Sequence, residues 1–585
     1  MLKNPKYVYG EEDLYLPAHL NFGSFMLKNL WMNKDKVTLT NGSTHETLTC
    51  GEIAQEAMNL AVSLRNIGLK RGEVVAICSE NRKEFWGTVI GIICAGGVVT
   101  TLNPGYSKDE LKHVMNISKP KYVFCSPNTY SVCGKTLKSV SSVSKIILYG
   151  DVYNKENNTL SYNNLAKTNG KGEVENYIDY EEFEVVEVNG QIDTLFILYS
   201  SGTTGLPKGV MLTHLNVLVS CSLEPTMQAD AVNLIITPWY HTMGLIGTLR
   251  GLSTAINVVY LPKFEIESYL NTIQQYKVNL LIVVPPVLVA LCKYQSKHDV
   301  SSVNVIYSGA APLHGDTIKD VNLLIVVPPV LVALCKYQSK HDVSSVNVIY
   351  SGAAPLHGDT IKDVHKRFPK LQSVLQGYGM TEVTLAVARD VQSKAHLAKP
   401  GGVGFIVKNT VIKVVDIHTR EPLGPNQPGE ICAKGVIVMK GYVGKSKEDD
   451  FDDEGFFKTG DIGYYDENKY FFIVDRLKEL IKYKAYQVPP MELEAVLLQH
   501  PAVRDAGVVG LPHASAGEVP LAFVVLQPNA NATEKELQQF VADRLSNPKH
   551  LRGGVRFVEE IPKNPSGKIL RKRLREMIKN RKSKL

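Results

Sequence analysis

Residues Val278–Asp320 recur without one change as Val321–Asp363. Whatever this 43-residue block folds into, the chain must accommodate it twice in succession. Each copy reads as a strand (VNLLIVVP), a helix (PVLVALCKYQ), a strand (VNVIYSG) and the start of another helix. Solenoid units diverge and stack in threes or more, so a perfect pair is a tandem duplication of one segment. Removing either copy leaves the same 542-residue chain, which makes the boundary of the surplus arbitrary. Extruding such a loop costs only about 3 kcal/mol of chain entropy. Exposing two extra apolar strands is worse, because unpaired edges aggregate. The 585-residue form is therefore expected to fold poorly or to be absent as a protein; its diagnostic tryptic peptide is Asp320–Lys336.

Elsewhere, continuous apolar runs such as VVAICSE (74–80), KYVFCSP (121–127), KIILYG (145–150) and TLFILYSS (194–201) alternate with amphipathic stretches. Runs of this kind fit buried strands of parallel α/β sheets covered on both faces. From about Gly401 the texture changes to short strands with Gly/Pro turns, which suggests a small antiparallel sheet or barrel. After Asp475 a compact α+β segment follows. The expected fold is thus α/β. A large N-terminal domain (1–475) holds two parallel α/β subdomains plus a small β-barrel, and a small mobile α+β domain (476–585) follows.

Hydrophobic residues make up 44% and charged residues 21%, which excludes a mainly disordered or fibrous chain. Nine cysteines without metal-type spacing are too sparse for a disulfide scaffold. No apolar run reaches the roughly 18 residues of a membrane span. The net charge of +7 is local: Lys563 to Leu585 carry ten Lys/Arg and one Glu, so the remainder is near neutral. No aromatic platform accompanies these charges, and a nucleic-acid partner is not expected. The chain ends Ser583-Lys584-Leu585. At a free C-terminus this tripeptide is read by the peroxisomal import receptor, so a peroxisomal location is expected.

The chemistry concentrates in YSSGTTGLPKGV, Tyr199–Val210, directly after a strand. Its glycines let backbone N–H groups face an anion. Ser200 and Ser201 before Gly202, and Thr203 and Thr204 between Gly202 and Gly205, add hydroxyls, and Lys208 adds a cation. The spacing differs from the Walker loop, so a P-loop NTPase is a poor fit.

This string is similar to the AMP-binding signature of the adenylate-forming superfamily. GYGMTE (377–382), TGD (459–461), DRLKELIKYK (475–484) and PKNPSGK (562–568) follow in that family's order. Within it the chain most resembles the beetle luciferase and 4-coumarate–CoA ligase branch. The resemblance implies that ATP, Mg²⁺ and coenzyme A are used to turn a small carboxylic acid into an acyl adenylate and then a thioester.

Residue by residue, the resemblance implies adenine against Tyr378, between Gly377 and Gly379, and along Ser351, Gly352, Ala353 and Ala354. It likewise implies Thr381 near phosphate, Glu382 as the Mg²⁺ ligand, and Asp461 and Arg476 on the ribose. Lys568 is the catalytic cation of adenylation: it can bridge the carboxylate and the α-phosphate as two anions are joined. The resemblance also implies that Lys478 is the hinge and that Lys482 replaces Lys568 after the small domain rotates. The acyl pocket implied by the resemblance includes His241, Thr242, Met243, Met380, Ser220 and Leu385.

Three departures matter. Ser220 stands where luciferases have an arginine, six residues after His214, and Leu385 stands in place of a serine. Both favour an apolar acyl chain, a medium- or long-chain fatty acid, over a light-emitting substrate. Ala485 occupies a usual glycine, where its methyl narrows the path of the CoA arm. A luciferase-like monooxygenase and an inactive acyl or nucleotide binder are the alternatives.

Overall fold

The computed structural model describes residues 4–12, 17–150, 158–166, 178–200, 207–223, 231–283, 298–300, 302–303, 305–308, 323–325, 348–352, 365–366, 371–484, 486–528, 530–563 and 569–582. Four sheets organise them.

The first sheet has eight strands, and its centre is the parallel set Thr194–Ser200, Val98–Leu102, Val74–Cys78 and Tyr122–Cys125. Helix Cys50–Asn66 starts at Thr49, which forms a capping box with Glu52 and so satisfies two otherwise orphaned backbone donors. It packs on helix Glu84–Cys94, every residue of which is buried. Apart from Glu84 and Thr88 its residues are apolar or glycine, which suits this inner position. At the end of that layer, Trp86 and Trp239 meet at 5.0 Å, and Trp239 meets Tyr260 at 5.0 Å. These rings join the first sheet's helices to the second sheet, because Tyr260 ends the strand Asn257–Tyr260.

The second sheet has eleven strands and contains the duplicated block. Leu280–Val283, Val305–Ser308, Leu323–Ile325, Val348–Gly352 and Ser373–Tyr378 lie side by side in chain order, all parallel. The expectation of an extruded, edge-exposing copy is therefore corrected. Each copy supplies two strands, and a parallel sheet accepts another such pair in its interior with its ladder partners supplied on both sides. The second copy abuts the GYGMTE strand, with Gly352 opposite Gly377 and Ser351 opposite Gln376.

The third sheet is antiparallel, in the order Tyr7–Tyr9, Thr410–Val415, Gly429–Gly435, Phe457–Tyr465, Phe471–Arg476. Its two edge strands do not pair with each other among the described residues, so the expected barrel is an open sheet. Short strands with turn residues are common to both forms, and closure depends on strand tilt that the residue pattern does not encode.

The fourth sheet belongs to the C-terminal α+β unit. Val503–His513 pairs with Gly517–Leu526 over ten positions, flanked by Ile481–Tyr483, Tyr486–Val488 and Val555–Phe557. No helix among the described residues is long and apolar enough to cross a membrane.

Candidate active site

The glycine-rich segment is the bend of a hairpin. Strand Thr194–Ser200 runs antiparallel to Lys208–Thr213, with Ser200 opposite Lys208. A Walker loop instead runs from strand into helix. Ser201, Gly202, Thr203, Thr204 and Gly205 lie outside the described residues. Ser200 Oγ is buried without a hydrogen-bond partner among the described residues, an unmet polar atom at the mouth of the hairpin.

Strand Gly441–Tyr442 adds to the hairpin's outer edge, with Tyr442 opposite Val210. Its ring carries the Lys208 ammonium at 4.4 Å, and its hydroxyl donates to Glu382 Oε1 at 2.8 Å. Burial, then the Glu382 carboxylate, pushes the Tyr442 phenol far up, so it stays a donor. Glu382 is itself buried, and its second oxygen, Oε2, makes no hydrogen bond among the described residues. A hard oxygen so placed suits Mg²⁺, which takes one or two carboxylates and completes its shell with phosphate and water. No cluster of three or more His, Cys, Asp or Glu side chains fit to hold a metal occurs among the described residues. Burial holds the Lys208 pKa below its usual value; Asp450, 3.9 Å away, partly opposes this, and Lys445 and Lys478 add to it.

The second polar group forms where the GYGMTE strand meets the antiparallel sheet. The Tyr378 hydroxyl donates to Asp461 Oδ2 at 2.7 Å, and Arg476 Nε lies 3.3 Å from Asp461 Oδ1. Asp461 and Arg476 are direct cross-strand partners, and Asp461 is only 5% exposed. Burial, reinforced by Asp461, raises the Tyr378 pKa well above normal. The turn after Tyr378 is tight: a Cβ on Gly379 would lie 1.8 Å from the Leu385 carbonyl oxygen. Leu385 closes that turn at φ 100°, a left-handed conformation that a leucine adopts only under constraint.

The PWYH segment and the helix after it reach this turn through Thr242. The Trp239 backbone N–H donates to Asn81 Oδ1 at 2.9 Å, and Thr101 Oγ1 donates to the Tyr240 carbonyl at 3.0 Å, which anchors the PWYH segment. His241 precedes helix Thr242–Ser253, and its ring lies tilted against Tyr240 with centroids 4.7 Å apart. His241 is exposed as a residue yet closely surrounded by protein, and this desolvation pulls its pKa below the usual histidine value. Thr242 Oγ1 and Thr381 Oγ1 are 3.0 Å apart and share a hydrogen bond. Met243, Met380 and Leu385 pack half-buried on the main core. Ser220 is buried and donates to the Thr384 carbonyl at 3.0 Å, so its hydroxyl braces the turn and is not presented to a ligand.

Ser200, Lys208, Tyr378, Thr381, Glu382, Asp461 and Arg476 are thus drawn together, with Thr242 touching them and Lys478 within electrostatic reach of Lys208. Lys482 is not drawn in: it is exposed on strand Ile481–Tyr483, and its backbone N–H donates to Glu518 at 2.9 Å. Lys568, Ala353, Ala354, Ala485 and Ser583 to Leu585 lie outside the described residues, and Ser351 and Gly352 are described by their backbone alone. Tyr442, Asp450 and Lys445 were missed by sequence reasoning. The available signal was the aromatic of GYV beside a glycine, the same device as Tyr378 in GYG.

The AMP-binding enzyme family matches residues 29–323 and 319–443, two stretches that meet at the junction of the duplicated copies. The AMP-binding enzyme C-terminal domain matches 492–568. A luciferin 4-monooxygenase of Nipponoluciola cruciata is 38% identical over 93% of this chain and 91% of its own length. A probable 4-coumarate–CoA ligase 1 of Dictyostelium discoideum is 34% identical over 94% of each. ATP-bound MatB of Rhodopseudomonas palustris superposes with a TM-score of 0.73 at 25% identity, over 95% of this chain and 99% of that one.

Proposed function

Because the chain belongs to the AMP-binding enzyme family, we propose that it is an AMP-forming acid–thiol ligase that joins a fatty acid of medium or long chain to coenzyme A. The observation that carries this reading is Asp461, a buried carboxylate shared by Tyr378 and Arg476. A carboxylate held this way suits the two hydroxyls of a ribose, with the flat Tyr378 ring beside it for the base. On the other side of the turn, Lys208 and Glu382 flank the Tyr442 ring. They suit the polyphosphate and its Mg²⁺, which when bound neutralises the phosphate oxygens.

In the first step the substrate carboxylate attacks the α-phosphorus of ATP and pyrophosphate leaves, giving acyl-AMP. Thr381 Oγ1 and Thr242 Oγ1, 3.0 Å apart, suit the junction of the acyl and phosphate sides, and Lys568 bridges the two anions. In the second step the CoA thiol attacks the acyl carbonyl, AMP leaves, and Lys482 is brought in by rotation about Lys478. The exposure of Lys482 here fits the adenylation arrangement.

Met243, Met380 and Leu385 offer an apolar wall, and the Ser220 hydroxyl is already spent on the Thr384 carbonyl. Both features favour an alkyl chain over a polar aromatic acid. Likeness to a luciferin 4-monooxygenase supports a second reading, oxidation of an adenylate by O₂ with light. We also propose that Ser583-Lys584-Leu585 directs the enzyme to peroxisomes, which a fluorescent fusion with and without the tripeptide tests.

The deciding experiment assays a panel of acids for carboxylate-dependent pyrophosphate release and for CoA-dependent thioester. Fatty acids are expected to be turned over in both assays. Pyrophosphate release without thioester would overturn the ligase reading in favour of an adenylating binder limited by Ala485. Light with luciferin, ATP and O₂ would overturn it in favour of the oxygenase.

A further inference from the structure

Lys208 is not alone at the mouth of the hairpin. The Tyr442 ring carries the Lys208 ammonium at 4.4 Å and the Lys445 ammonium at 5.7 Å. Lys478, at the hinge, is close enough to Lys208 to act on it electrostatically. Among the described residues the carboxylate that pairs with this group is Asp450, 3.9 Å from Lys208. Three ammonium groups against two carboxylates, Asp450 beside Lys208 and Glu382 on the Tyr442 hydroxyl, still leave net positive charge at the mouth of the hairpin. Like charges gather this way at a cost, which an anion bound between them removes. The Tyr442 hydroxyl meanwhile engages Glu382, so the lysines and the magnesium-type carboxylate adjoin a single side chain.

We propose that Lys445 binds the β- and γ-phosphates of ATP and holds the departing pyrophosphate, alongside Lys208. This rests on the adenylation reading. As the carboxylate oxygen–phosphorus bond forms, the bond from the α-phosphorus to the bridging oxygen breaks, and its electron pair leaves with pyrophosphate. The Lys445 ammonium meets that growing charge without giving up a proton. Its place in the chain supports the role: the Lys445 backbone N–H donates to the Tyr442 carbonyl at 3.3 Å, which fixes the turn that returns the side chain over the ring.

The test uses the full chain with Lys445→Ala and Lys445→Arg. Calorimetric titration with magnesium pyrophosphate is expected to show about tenfold weaker binding for Lys445→Ala, as loss of one charge-assisted contact implies. Lys445→Arg is expected to restore binding. Acid-dependent exchange of pyrophosphate into ATP should fall in parallel, while thioester formation from supplied acyl-AMP stays at the wild-type rate. Unchanged pyrophosphate affinity and exchange in Lys445→Ala, with an active wild type, would overturn the role of Lys445 alone. A wild type that neither binds pyrophosphate nor exchanges it with any acid would overturn the adenylation reading beneath it.

Discussion

Asp461 shows how much one side chain can settle. It is buried, it accepts from Tyr378, and it faces Arg476 across two strands. Asp461→Ala removes the proposed ribose acceptor and leaves the Tyr378 hydroxyl without its partner. The KM for ATP is expected to rise by one to two orders of magnitude, from the roughly 2 kcal/mol of a charged hydrogen bond, with Asp461→Asn intermediate in steady-state assays. His214 is a structural counterpart. It is 1% exposed, and its Nδ1 accepts from the Phe22 N–H at 3.0 Å. Burial, the largest influence, pushes its pKa down to about 4. The folded pKa lies below the unfolded value near 6.5, so its stabilising contribution is whole above that value and is lost as pH falls toward 4. Wild type is therefore expected to lose about 3 kcal/mol relative to His214→Asn across this window, as read by urea denaturation at stepped pH. Asp461 and Tyr378 were legible as residues because their motifs carry them. Tyr442 was not, because its role depends on pairing with Val210, a strand distant in sequence.

Among elements, the buried parallel strands were the most legible, since a strand covered on both faces must be apolar throughout. The barrel was misread because curvature is a property of several strands together. The last helix, Arg571–Lys582, was read only as part of a basic tail, yet it is fastened inward. Arg571 reaches both oxygens of Glu494 at 2.7 and 2.8 Å, and Arg575 reaches Glu479 at 2.9 Å. Glu494 and Arg571 are each about 10% exposed at the side chain. Arg571→Leu would leave a buried carboxylate unpaired and is expected to destabilise the C-terminal unit by roughly 3–5 kcal/mol. Thermal melts of the full chain should show an earlier transition, and Arg571→Lys should recover only part of it because a lysine cannot make the forked contact.

For the whole molecule, the question is what two additional strands do to a working sheet. The pairing of Gly352 with Gly377 involves only the second copy, so a chain lacking one copy can keep it. The 542-residue form is therefore expected to be soluble, to melt no lower than the full chain, and to retain adenylation; expression, melting and pyrophosphate assays on both forms check this. The C-terminal unit is coupled to the rest through Asp475, whose carboxylate accepts the Met491 N–H at 3.0 Å and is raised to about 6 by burial.

The two seated copies also have a genetic consequence. The strand beside Ser373–Tyr378 can be drawn from either block, because VNVIYSG is spelled identically in both. A change confined to the second block penalises the present threading and leaves the first as a ready substitute, at the cost of looping out the damaged stretch. One block can thus drift while its twin keeps the nucleotide side intact.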